Sequence, residues 1–106
     1  ADGVLRAADL SDQEHGSRVR VAGVVTHRQR PHTATGMIFL NLEDETGLLN
    51  VACRAGMWRR YRSIGRRAGA LIVRGTVEKG DGVVALMAEH LQALPGVPST
   101  GSRDWC

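Results

Sequence analysis

The sequence predicts a small all-β domain, a five-stranded barrel with one helix between its third and fourth strands. Three observations carry this expectation. Apolar and polar residues alternate with a period of two in five separate stretches, and a single stretch, residues 56–67, switches to helical spacing. Two short segments with reversal chemistry, Asp44-Glu45-Thr46-Gly47 and Lys79-Gly80-Asp81-Gly82, join consecutive strands. The chain has 106 residues, enough for one domain with its own core.

Residues 1–17 read as a lead-in segment. Val4, Leu5 and Ala8 support a turn or two of helix, followed by a polar connection through Ser17. From Arg18 the period becomes two. Val19, Val21, Gly23 and Val25 share one face of a long first strand, and Gly23 marks a bend or bulge of the kind found at a barrel corner. His27 to Gly36, with Pro31, is expected to form a long basic loop. The second and third strands flank Asp44–Gly47, with Ile38, Leu40, Leu42, Leu49, Val51 and Cys53 inward. The helix carries Met57, Tyr61, Ile64 and Ala68 as one apolar stripe on a basic body. Ala70–Val77 and Val83–Leu91 complete the barrel. Pro95-Gly96-Val97-Pro98 then opens a segment of linker composition, so the expected organisation is a lead-in at 1–17, a barrel at 18–94 and a flexible tail at 95–106. Three strands, a helix and two strands in a domain of this size describe an OB-fold, whose usual ligand surface is the face of strands two and three.

Composition narrows function. No apolar run approaches the ~20 residues of a membrane helix, no signal-peptide pattern opens the chain, and Cys53 and Cys106 make no disulfide framework. A cytoplasmic address is expected by default. The chain begins at Ala1 rather than Met, as a piece of a longer protein would. Net charge is +3, but four arginines and two histidines lie between Arg18 and His32 without an acid, and six arginines between Arg54 and Arg67 again without one. Such stretches suit a polyanion; arginines solvating a surface are the plainer alternative.

Catalytic chemistry is not expected. Glu43, Asp44 and Glu45 alternate faces along a strand and Asp44 is better used in the turn; His27 and His32 share a loop without a third ligand; Cys53 reads as core. No phosphate-cradling GxxxxGK[ST] run is present. No cofactor or metal is expected.

Binding chemistry is better represented. Outward placement of Phe39 and Asn41, beside Asn50 on the next strand, offers one ring for stacking and two amides for a base edge. Arg28, Arg30 and His32 from the first loop, with Lys79 from the turn near residue 80, would frame that platform and meet phosphates. The alternative is a register shifted by one, with Phe39 in the core. Trp58 lies off the apolar stripe, so it either closes the barrel floor, the favoured reading, or contacts a partner.

From Val21 to Leu94 the chain resembles the C-terminal OB domain of bacterial C-family DNA polymerases of the DnaE type. The words that carry this are Val21-Ala22-Gly23-Val24-Val25, Phe39-Leu40-Asn41-Leu42-Glu43-Asp44-Glu45-Thr46-Gly47 and Val73-Arg74-Gly75-Thr76-Val77. Gly56-Met57-Trp58-Arg59-Arg60-Tyr61 and the final Ser102-Arg103-Asp104-Trp105 are similar to the error-prone, damage-inducible branch. The resemblance implies a translesion polymerase whose catalytic carboxylates and metals lie in another domain, with this domain on single-stranded template DNA, contacted without sequence preference. It also implies the remaining polymerase domains, a sliding clamp and a Y-family-like accessory protein as partners. Arg103, Asp104 and Trp105 in the tail are a candidate partner contact, with a disordered, idle tail as the alternative. The pattern around Phe39 and Asn50 is similar as well to the anticodon-binding OB domain of class II Asp- and Lys-type tRNA synthetases, although Asn50 stands where that pattern usually has Gln. A protein-docking OB domain without nucleic-acid affinity is the third reading, supported by the scarcity of aromatics, 4% of the chain.

Overall fold

A computed structural model of the chain describes residues 3–30 and 36–96. Its elements are β1 (Val4–Leu5), a 3-10 turn (Ala7–Asp12), β2 (Arg18–Gln29), β3 (Ile38–Asp44), β4 (Gly47–Cys53), α1 (Ala55–Arg67), β5 (Ala70–Gly80) and β6 (Val83–Ala93). Strands β2, β3, β4, β6 and β5 follow one another around a barrel, which closes where β5 pairs with the first half of β2. This is the expected OB-fold, with the helix entering between β4 and β5.

Alternation places the core. Val21, Leu40, Leu42, Val51, Val73, Val77 and Leu86 are all fully shielded from solvent inside the barrel. Cys53 joins them, and its burial pushes the thiol up to about 12, so it is inert at neutral pH. Gly23 sits where β2 leaves β5 for β3. A Cβ there would stand 2.9 Å from the Glu43 carbonyl oxygen and 3.1 Å from its nitrogen, so the crossing of the two strands needs a residue without one.

The bulge lies further along, between Val25 and His27, and it changes the expected picture. β2 does not give way to a loop at His27 but continues to Gln29 with its phase reversed. Arg28, expected in an exposed loop, instead pairs with Leu40 and turns inward, 4% exposed. Its Nε donates to the Gly65 carbonyl at 2.8 Å and a terminal nitrogen donates to the Ala68 carbonyl at 2.9 Å. Carbonyls at a helix C-terminus lack partners within the helix and carry partial negative charge, so a buried guanidinium satisfies both needs. In this position Arg28 clamps the C-terminal end of α1.

The helix also departs from its expected stripe. Met57, Tyr61, Ile64 and Ala68 pack against the core but stay half-buried, while Trp58 and Gly65 go deepest. Trp58 is 3% exposed and lies across Gly65, where an added Cβ would meet its ring at 2.5 Å. The indole therefore closes the barrel floor. Helical dihedrals are interrupted once, at Tyr61, whose ring meets the His90 ring edge-on at 5.1 Å.

The lead-in packs on the barrel. β1 runs parallel to β2, and Leu10 is buried in the core. The β3–β4 turn holds the lead-in in place. Asp44 Oδ1 accepts the Thr46 N–H and hydroxyl at 2.8 and 2.6 Å, Asp44 Oδ2 accepts the Ala7 N–H at 2.8 Å, and Thr46 Oγ1 accepts the Ala8 N–H at 2.9 Å. Burial alone would raise the Asp44 carboxyl. The Thr46 hydroxyl and the N–H groups of Ala7, Thr46 and Gly47 outweigh that and hold it below its ordinary value.

Candidate nucleic-acid interface

The outer face of β3 and β4 is set by the same alternation that fills the core. With Ile38, Leu40 and Leu42 inside, Phe39 and Asn41 must face out, and Phe39 is 36% exposed. Two lateral rows cross this face. One runs Gln29, Phe39, Ala52, Met87; the other runs His27, Asn41, Asn50, Ala85. The rows are two residues apart, about 7 Å along the strands.

The second row holds a direct amide pair: Asn41 Nδ2 donates to Asn50 Oδ1 at 2.7 Å. Among the described residues, Asn41 Oδ1 and the Asn50 side-chain NH2 have no hydrogen-bond partner, so an acceptor oxygen and an NH2 group with both its donors remain for a ligand. The first row offers the Phe39 ring, with Ala52 next to it and the half-buried Met87 one strand further on. A flat apolar surface next to a donor and an acceptor is what an unstacked base requires.

Charge divides the face lengthwise. Glu43 and Glu45 stand exposed at the β3–β4 turn, while Arg30 follows Gln29 at the opposite end. Arg30, Ile38, Ala55, Arg59 and Arg62 line part of a concavity of about 220 Å³ there. Lys79 does not join the platform. It lies on β5, separated from β4 by β6, its N–H donates to His15 Nδ1 at 3.0 Å, and its ammonium donates to the Ser11 carbonyl at 2.7 Å. His32, Arg103, Asp104 and Trp105 lie outside the described residues.

Phe39, Asn41 and Asn50 thus come together as the alternation predicts, with Arg30 at one end. His27, Gln29 and Met87 complete the rows and were missed by sequence reasoning. A bulge at Thr26 breaks the alternation before them, so the sequence reads His27 and Gln29 as loop. Exposed Leu48 and Val83 were missed too; each lies two residues before Asn50 or Ala85 on the same outward side.

Residues 19–94 match the profile of a family described as the OB-fold nucleic acid binding domain. The chain belongs to that family. Its OB domain spans about a tenth of the curated relatives it matches. It is 53% identical over 103 residues to an error-prone DNA polymerase of Nocardia farcinica, covering 97% of this chain and 9% of the relative. It is 55% identical over 104 residues to one from Cutibacterium acnes, again 97% and 9%. These names agree with the resemblance drawn from the Trp58 segment and the terminal tetrapeptide. Among solved structures, an asparaginyl-tRNA synthetase from Pyrococcus horikoshii superimposes with a TM-score of 0.76 at 20% identity, over 94% of this chain and 24% of that one. The Stn1–Ten1 complex of S. pombe superimposes at 0.60 and 20% identity, over 74% and 58%. Those two likenesses speak to the OB fold alone. No helix among the described residues is long and apolar enough to cross a membrane.

Proposed function

We propose that this OB domain holds single-stranded template DNA, without base preference, across β3 and β4 within an error-prone, translesion DNA polymerase. The observation that carries the reading is the outward, solvent-accessible Phe39 beside the Asn41–Asn50 pair. One ring can stack on any base, and two exposed amide groups give only weak base discrimination, which suits a template of arbitrary and damaged sequence. Arg30 at the end of the row supplies charge for the backbone. The names of the relatives support the polymerase context; under this reading the catalytic residues lie in other domains of the whole enzyme. The further partners of that enzyme are a sliding clamp and a Y-family-like accessory protein.

Fluorescence anisotropy of a labelled ~15-nucleotide single strand tests this directly. Phe39→Ala should weaken binding about five-fold or more, since stacking contributes roughly 1–3 kcal/mol per base. Affinity should fall with salt and favour single-stranded over duplex DNA. Preference for an RNA anticodon loop over DNA would transfer the reading to a synthetase-like role, and no binding at low salt would leave a docking domain.

A further inference from the structure

Strong positive charge is displayed on α1, outside the platform just described. Arg59, Arg60, Arg62, Arg66 and Arg67 are all exposed and, with Ser63, line a concavity of about 470 Å³. No acid occurs between Arg54 and Arg67, and none of these five guanidiniums forms an ion pair with a described residue. A helix face that serves only solubility gains from alternating signs, because like charges three and four residues apart repel. Here Arg59, Arg62 and Arg66 repeat one sign at those very spacings. The arrangement is unfavourable in the free protein and is relieved by a polyanion.

Position says which polyanion. The face is joined to the platform through the smaller concavity, which Arg59 and Arg62 line together with Arg30, the residue after Gln29, itself the neighbour of Phe39. Acids occupy the far end of the platform, at Glu43 and Glu45, so a phosphate backbone leaving Phe39 is drawn toward the helix and away from the turn. Guanidiniums with planar donor forks suit phosphate oxygens. We infer that the outer face of α1 is a second phosphate-binding surface, which carries the same DNA strand onward from Phe39 over Arg30 to Arg59, Arg62 and Arg66. This rests on the platform reading and extends it from a single stacking site to a continuous track.

The test uses the 106-residue chain with labelled oligothymidines of ~5 and ~15 nucleotides, the range that one OB domain covers. Arg62→Gln with Arg66→Gln should weaken the longer strand about ten-fold at low salt and reduce its salt slope by about 1.4, two contacts at ~0.7 each. The shorter strand, held at Phe39, should be unaffected. Arg6→Gln with Arg74→Gln removes the same charge elsewhere and should change neither strand appreciably. Unchanged circular dichroism excludes unfolding as a cause, since all four residues are exposed. The inference is overturned if the helix pair leaves the longer strand untouched, weakens both lengths alike, or acts no more strongly than the control pair. Tighter binding of poly-glutamate than of DNA also overturns it and assigns the face to an acidic protein. Failure of the platform looks different: Phe39→Ala would then change neither length, while the helix pair would still weaken the longer strand.

Discussion

The side-chain amide of Asn41 donates to the side-chain oxygen of Asn50 across the β3–β4 ladder at 2.7 Å. Each side chain fixes the rotamer of the other, so Asn41 Oδ1 and the Asn50 NH2 are presented in one orientation instead of many. Directly opposed polar pairs on a sheet typically couple by roughly 0.2–1 kcal/mol. A double-mutant cycle of Asn41→Ala and Asn50→Ala, read by urea unfolding, should return a coupling in that range; additivity within error would show that the bond does not persist in solution.

Arg28 should behave as a structural residue. Arg28→Ala leaves the Gly65 and Ala68 carbonyls without this partner at the buried end of α1, and unfolding free energy should fall by about 2–4 kcal/mol. Arg28→Lys, with charge but no fork, should recover part of that. At temperatures where the variant is folded, the salt slope of DNA binding should match the wild type. A reduced slope would return Arg28 to the phosphates.

How much of this was legible without coordinates is clearest around that residue. The barrel, the helix and the outward Phe39 follow from periodicity, which survives because one face of every strand must be dry. Trp58 as a floor closure was also open to inference, since so large an apolar side chain is rarely left in water. Arg28 was not. A one-residue bulge at Thr26 reverses the phase of everything after it, and no local pattern announces it. The same blind spot hid His27 and Gln29. The placement of Lys79 is not legible either, because a turn's neighbours depend on where the lead-in packs, a contact distant in sequence.

Gly65→Ala separates helix propensity from packing. Alanine favours a helix interior by about 1 kcal/mol, yet the added methyl would stand 2.5 Å from the Trp58 ring and 3.3 Å from Leu91. Overpacking of this kind costs about 1–3 kcal/mol. Thermal unfolding should show a net loss of up to about 2 kcal/mol; a gain would mean that the indole floor is loosely packed.

Asp44 makes acid sensitivity local. Its carboxyl is held below the ordinary value of 3.8 in the folded state, so its contribution is fully present above that pH and is lost as pH falls through the lower folded value. Melting temperature followed from pH 6 downward should therefore drop more steeply for the wild type than for Asp44→Asn. Parallel curves would mean that the Ala7 and Thr46 bonds contribute little.

The strand pairings around the barrel are unequal, and the weakest seam lies between β4 and β6. The parallel pairing of β4 with β6 spans only Asn50–Ala52 against Ala85–Met87, whereas β5 and β6 are laddered along nearly their whole lengths. Cooperative opening begins where the fewest backbone bonds must break, so amides at this seam should exchange with deuterium ahead of those between β5 and β6. The seam also lies beneath the two outward rows. A strand seated from Phe39 to Met87 would bridge it from outside, making the bound nucleic acid a clasp on the barrel and slowing exchange there more than anywhere else in the sheet.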